Sequence, residues 1–230
     1  MLVPPFQVDN VWTIVVGGGS GARFGGLKQY ELLDDRRMID HSVAAASAAG
    51  RGVVVVVPAD DVVRECTHFA GVAVVVGGGA TRSASVRAGL AMVPDDADVV
   101  VVHDAARPFA GARLFASVVD AIRDGADGAV PGLAVTDTIK MVDDDGVVTG
   151  TPPRDRLVAV QTPQAFRAGA LRSAHRSGAD GTDDAAVVEM SGGRVVVVPG
   201  DPDNRKITHP IDLDWARDRL RTTGRTEEVD

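Results

Sequence analysis

A chain of 230 residues with 45% hydrophobic but only 4% aromatic residues has enough apolar content for one domain-sized core, built mainly from Val, Ala, Leu and Ile. Its formal charge of −8 argues against a general nucleic-acid surface, so basic residues are read as a local site. One cysteine, Cys66, excludes an intrachain disulfide and any cysteine-rich metal centre, and no apolar run approaches the roughly eighteen residues of a spanning helix.

Residues 1–10 lack a basic start and an apolar signal core, which makes the cytoplasm the expected location. A strand predicted over 12–16 runs into Gly17-Gly18-Gly19-Ser20-Gly21-Ala22-Arg23, and Lys28-Gln29 follows closely. Glycine amides without side chains can close around phosphate oxygens, and Arg23 and Lys28 can neutralise them. The combination suggests a nucleoside triphosphate. It lacks the Ser or Thr that follows the lysine of a Walker A loop, and it carries cations that a dinucleotide fingerprint does not need. A glycine-rich turn with its charges in solvent fits the loop alone as well.

Helices are predicted over 38–49 and 61–69, alternating with strands at 53–57 and 72–76; Cys66 is expected as a small buried residue of the second helix. Gly77-Gly78-Gly79-Ala80-Thr81-Arg82-Ser83-Ala84-Ser85 again joins a strand to a helix, over 83–92. Its amides, carbonyls and hydroxyls could read a base, and a flexible loop capped by Thr81 or Ser83 explains it equally. The strand at 99–102 ends in His103-Asp104-Ala105-Ala106-Arg107-Pro108. That puts a carboxylate at the sheet edge where open α/β sheets gather ligands, able to hold Mg²⁺, while His103 reads as a structural hydrogen-bonding residue.

A helix over 113–123 and a strand over 129–131 precede an irregular segment, 135–160, in which strand-like runs flank Asp145-Gly146. This predicts a protruding β-arm, which a decorated surface loop explains as well as an arm that dimerises or covers substrate. Helices over 168–177 and 183–191, a strand over 194–198 and a helix over 210–220 complete an alternation typical of a mainly parallel sheet covered on both faces. Residues 221–230 are polar and expected to fray. No repeat or linker divides the chain, so residues 1–230 are read as one domain. Lys206, near Pro210, reads alone as part of a solvated turn.

Together the motifs resemble the 2-C-methyl-D-erythritol 4-phosphate cytidylyltransferase family, from Trp12 to Leu220. The resemblance rests on the glycine loop through Lys28-Gln29, Gly78-Gly79 to Ser85, His103 to Pro108, Asp137-Thr138-Ile139-Lys140, Gln161-Thr162-Pro163-Gln164 with Thr182-Asp183-Asp184-Ala185, and Lys206-Ile207-Thr208. It implies a single Rossmann-like nucleotidyltransferase domain that moves CMP from CTP to a methylerythritol phosphate in the non-mevalonate route to isoprenoids, with a divalent metal, usually Mg²⁺. It further implies that Arg23, Lys28 and Lys206 act on the triphosphate and that Asp104 orients the metal. Gly17, Gly18, Gly19, Ser20 and Gly21 with Gly79, Ala80 and Ser85 would surround the nucleotide. Arg107, Thr138, Lys206 and Arg154, the last from the arm of a homodimer partner, would hold the acceptor. The family usually has Ala-Ala-Gly and Pro-Lys-Gln where this chain has Gly17-Gly18-Gly19 and Leu27-Lys28-Gln29, and the shortened Arg23-to-Lys28 segment predicts a different loop closure. Ribitol 5-phosphate as acceptor, and a nucleotide-binding regulator without turnover, are the alternatives.

Overall fold

A computed structural model describes residues 8–22 and 24–227. From β1 (Val11–Val16) the chain passes the glycine loop and a 3₁₀ turn (Lys28–Tyr30) into a small hairpin, β2 (Leu32–Leu33) with β3 (Arg36–Arg37). There follow α1 (Met38–Ala49), β4 (Gly52–Val57), α2 (Val62–His68), β5 (Val74–Gly77), α3 (Arg82–Leu90), β6 (Val99–Asp104), α4 (Ala112–Arg123) and β7 (Gly128–Ala134). An arm carries β8 (Met141–Val142) and β9 (Val148–Gly150). The chain closes through β10 (Val158–Val160), β11 (Gln164–Arg167), α5 (Ala168–His175), α6 (Asp184–Met190), β12 (Val195–Pro199) and α7 (Ile211–Glu227).

The valine runs form the sheet interior. β5, β4, β1 and β6 lie side by side and parallel, and β12 is parallel to β7. Between β6 and β7 runs β11, antiparallel to both. β10 continues the line of β11 along β7, because Gly132 pairs with Val160 on one edge and with Pro199 of β12 on the other. The line is not straight. Val160 faces Gly132 and Ala165 faces Ala129, so residues 161–164 stand opposite only residues 130 and 131. That two-residue excess is a large bulge, of the kind that re-aims side chains beside functional sites.

Strand alternation sorts the valines onto two faces. Val53, Val55, Val99 and Val101 meet α1 and α4, while Val54, Val56, Val100 and Val102 meet α3, α5 and α6. α3 approaches closely because residue 89 is glycine: a Cβ there would lie 2.6 Å from Ile14 and 3.0 Å from Val56. A smaller cluster, with Leu33, Met38, Ile207 and Leu213, packs α7 against the β2–β3 hairpin and the segment before Thr208.

The alternation matches the sequence reading and the expected hairpin at Asp145-Gly146 forms, with differences at β11, α7 and Cys66, a β2–β3 hairpin that was not expected, and β10 joining the main sheet from within the expected arm. β11 was missed because Gln-Ala-Phe-Arg lacks a valine run, although Ala165 and Phe166 are fully buried. α7 extends beyond Leu220 through the expected frayed segment to Glu227, and residues 228–230 lie outside the described residues. The arm is a short hairpin whose turn is tied by Asp143, its Oδ1 accepting from the amides of Asp145 at 3.1 Å and Val147 at 2.8 Å. Cys66 is exposed, not buried. Glu65 takes the inward position beside it, neutralised by Arg37 at 2.9 Å and Arg64 at 2.8 Å.

Candidate active site

A cavity of about 520 Å³ opens at the carboxyl ends of β1 and β6. Gly17 to Gly21 and Lys28 form one wall, Gly79, Ala80, Arg82 and Ser85 another, and Asp104 with Lys206 the floor. The register explains the meeting: Val16 pairs with Asp104, so the glycine loop leaves β1 directly beside the carboxylate.

The two glycine loops touch where side chains would not fit. A Cβ on Gly18 would stand 3.3 Å from the Gly78 Cα, and one on Gly78 would stand 2.9 Å from Ser85 Oγ. Gly21 has φ +68°, a left-handed conformation natural to glycine, and a Cβ there would collide with the Gly26 carbonyl. Its carbonyl accepts from Phe24 N at 2.8 Å and Gly25 N at 2.9 Å, so the segment before Lys28 folds back on itself. Buried Gln29 donates to the Gly19 carbonyl at 3.3 Å.

The second loop ends in a capped helix. Thr81 Oγ1 accepts from Ala84 N at 3.0 Å, while Ser85 Oγ accepts from Gly79 N at 3.1 Å and donates to Thr81 O at 3.0 Å. The loop therefore has the capping function expected of Thr81 and also faces the cavity.

Asp104 is the electrostatic centre. Its Oδ2 accepts from Lys206 Nζ at 2.6 Å, and its Oδ1 lies 3.3 Å from Arg82 Nη2. Burial opposes ionisation, but Arg82 and Lys206 more than offset it and hold the carboxyl well below the usual range. Arg82 is itself shared, its Nη1 lying 2.7 Å from Asp184 Oδ2. Burial alone would weaken its charge, and the two carboxylates raise its proton affinity instead. Lys28 Nζ donates to Ile207 O at 2.7 Å, which brings it to the residue next to Lys206. The Lys206 segment is anchored by Ile207 N donating to Ala106 O at 2.8 Å and by buried Asn204 donating to Thr162 O at 2.8 Å.

His103 lies beneath the cavity as a structural residue. Burial pushes its pKa down to about 4. Its neutral ring is bonded at both nitrogens, to Arg107 O at 3.1 Å and Thr162 Oγ1 at 3.1 Å.

The structure brings Gly17, Gly18, Gly19, Ser20, Gly21, Lys28, Gly79, Ala80, Ser85, Asp104 and Lys206 to one cavity. Arg23 lies outside the described residues. Arg107 turns its guanidinium to the carbonyls of Asn204 at 2.8 Å and Val160 at 3.4 Å and does not line the cavity. Thr138 is exposed on the arm. Arg154 donates to Thr136 O at 2.6 Å and borders a separate cavity of about 480 Å³ with Val135, Val158 and Val197. Sequence reasoning assigned no role to Arg82 or Gln29. Arg82 follows the helix cap Thr81 and Gln29 follows Lys28, so both positions within known motifs were available as signals.

Among the described residues no cluster of three or more His, Cys, Asp or Glu could hold a metal, and Asp104 is the one carboxylate on the cavity wall. This donor set suits Mg²⁺, which keeps several waters and commonly binds through one or two carboxylates plus substrate phosphates. Among the described residues no helix is long and apolar enough to cross a membrane.

A family model described as "IspD: 2-C-methyl-D-erythritol 4-phosphate cytidylyltransferase" matches residues 11–222. The chain is 46% identical over 213 residues to the 2-C-methyl-D-erythritol 4-phosphate cytidylyltransferase of Rhodococcus jostii, covering 90% of this chain and 93% of that one. It is 43% identical over 226 residues to a bifunctional enzyme IspD/IspF of Oleidesulfovibrio alaskensis, covering 89% of this chain but spanning only 56% of that relative. The crystal structure of 4-diphosphocytidyl-2C-methyl-D-erythritol synthase from Anaerococcus prevotii superposes with a TM-score of 0.80 at 27% identity, over 93% of this chain and 99% of that one. By sequence over nearly its whole length, and by fold, the chain belongs to the 2-C-methyl-D-erythritol 4-phosphate cytidylyltransferase family.

Proposed function

We propose that this chain transfers CMP from CTP to 2-C-methyl-D-erythritol 4-phosphate, releasing pyrophosphate and forming 4-diphosphocytidyl-2-C-methyl-D-erythritol in the non-mevalonate pathway to isoprenoids. The observation that carries the reading is the convergence of Lys28, Lys206 and Asp104 on a glycine-walled cavity at the strand ends, in a chain of this family. An acceptor phosphate oxygen attacks the α-phosphorus of CTP; the new P–O bond forms as the bond to the bridging oxygen breaks and pyrophosphate leaves. The nucleophile is already anionic, so no general base is required. His103, buried and bonded at both ring nitrogens, accordingly takes no part in proton transfer.

The protein's work is then placement and charge compensation. The amides of Gly17 to Gly21, with Arg23 and Lys28, hold the triphosphate; Lys28 and Lys206 stabilise charge at the transferring phosphorus. Gly79, Ala80 and Ser85 enclose the nucleoside. Asp104 would hold Mg²⁺, which when bound neutralises triphosphate oxygens. The acceptor is held by Arg107, Thr138, Arg154 and Lys206, with the arm supplied by the second subunit of a homodimer. Two facts support that crossing: Thr138 and Arg154 do not border the cavity of their own chain, and the arm exposes Met141, Val142, Val147 and Val148, each more than half accessible. A cytoplasmic enzyme without nucleic-acid or membrane partners completes the reading.

The test is pyrophosphate release by purified protein given CTP, Mg²⁺ and either methylerythritol 4-phosphate or ribitol 5-phosphate. Turnover with the first is expected. Equal or better turnover with the second would overturn the acceptor assignment.

A further inference from the structure

Arg82 belongs to a buried chain of charge running away from the cavity. Its Nε and Nη2 lie 3.4 and 3.3 Å from Asp104 Oδ1, and its Nη1 lies 2.7 Å from Asp184 Oδ2. The Asp184 side chain is fully buried, and its other oxygen meets His175 Nε2 at 3.1 Å. Asp184 opens α6, whose cap Asp183 accepts from Ala186 N at 2.9 Å and Gln164 Nε2 at 2.9 Å. Both edges of the guanidinium are thus committed to carboxylates on fixed elements.

Lys206, the other cation on Asp104, is held differently. It makes a single-point contact and its side chain is 38% exposed, against 25% for Arg82. Lys206 can turn toward a phosphate and leave Asp104. Arg82 cannot leave without stranding a buried carboxylate, an arrangement proteins resist strongly.

We infer that Arg82 is a positioning residue: anchored from behind by Asp184 and His175, it keeps Asp104 aimed into the cavity when Lys206 moves to the triphosphate. The inference rests on the reading of the cavity as a CTP site. It assigns Arg82 no phosphate contact, because its charge is already flanked by two carboxylates. A lysine cannot substitute, since one ammonium lacks the planar fork that spans both acids.

The test compares Arg82→Gln, Arg82→Lys, Asp184→Asn and the Arg82→Gln/Asp184→Asn double variant. Two quantities are read: steady-state kinetics, and the affinity of the CTP-loaded protein for Mn²⁺, followed by electron paramagnetic resonance without acceptor. Each single variant should lower kcat and weaken Mn²⁺ binding by about tenfold or more, the scale for partners that orient a metal ligand, with KM for CTP nearly unchanged. Arg82→Lys should not rescue. The double variant should be no worse than Arg82→Gln, since Asp184 acts through Arg82. Additive losses, a rise in KM alone, rescue by lysine or unchanged Mn²⁺ affinity would each overturn the inference. If Asp184→Asn does not fold, the two Arg82 substitutions still decide it. Failure of the acceptor assignment would show separately, as a wild-type protein that binds CTP and Mn²⁺ but does not turn over methylerythritol 4-phosphate.

Discussion

Thr162 Oγ1 donates to His103 Nδ1 across 3.1 Å, and the direction of that bond is fixed by its neighbours. The Asp104 amide donates to the same oxygen at 3.0 Å, while the other ring nitrogen, Nε2, faces the Arg107 carbonyl and must carry the proton. Burial holds His103 neutral, against the Asp104 carboxylate and the Arg107 carbonyl, which favour its protonation, and with the Arg107 guanidinium, which opposes it.

This predicts a pH dependence of stability. The folded pKa of about 4 lies below the ordinary value of 6.5, so between them the unfolded chain takes up a proton that the folded chain refuses. Stability is complete above pH 6.5 and falls as the pH drops toward 4, by up to about 3 kcal/mol. The depressed carboxyl of Asp104 adds a loss only below the ordinary carboxylate range, in a separate window. Urea unfolding at pH 7.5 and 4.5 should show a larger loss for the wild-type chain than for His103→Gln; equal losses would reject a buried neutral His103.

Lys28→Ala should remove about 2–4 kcal/mol of transition-state stabilisation, the scale of a preorganised donor. Its contribution to stability should be nearer 1 kcal/mol, from the bond to Ile207 O. Steady-state kinetics and thermal melting of one preparation separate the two. A folded variant with wild-type kcat/KM would end the assignment of Lys28 to the reaction.

Gly21→Ala and Gly19→Ala should part company. The first forces a left-handed backbone onto alanine and drives its methyl into the Gly26 carbonyl; the second adds a methyl with nothing within 4 Å. The first should cost at least about 1 kcal/mol and weaken CTP binding, and the second should leave the melting midpoint unchanged. Calorimetric CTP titration and melting curves check both, and equal behaviour would show that the loop tolerates another path.

Much of the fold was legible because its strands are valine runs between periodic helices, and local sequence is enough for such elements. β11 was not. Its Gln164-Ala165-Phe166-Arg167 becomes a strand only because β6 and β7 leave a slot between them. The cavity itself was read from glycine and charge patterns, whereas Arg82 was passed over because its two carboxylate partners are remote in sequence, at Asp104 and Asp184. Arg107 was assigned to the acceptor through the family resemblance, and the turn of its guanidinium toward the carbonyls of Asn204 and Val160 was not legible, because those partners are likewise remote in sequence.

The proposed exchange of the arm between subunits predicts complementation between defective chains. Arg154→Ala and Lys28→Ala chains, each poorly active alone, should regain activity when mixed, because a heterodimer can hold one site with both residues intact. Verified heterodimers as inactive as their parents, or a dilute monomer with full activity, would show that Arg154 serves no partner site.

The two surplus residues between β10 and β11 also give this edge of the sheet an unusual sensitivity to length. Trimming two residues from 161–164 would let the line pair evenly with β7, which favours a smoother ladder. It would also withdraw Thr162 from the Asp104 amide and Gln161 from the carbonyls of Asp201 and Asn204, which it contacts at 2.8 and 3.2 Å. The floor that carries Lys206 would lose its moorings while the sheet became more regular. Shortening at this point should therefore separate two properties that usually fall together, leaving a well-folded chain without a working cavity.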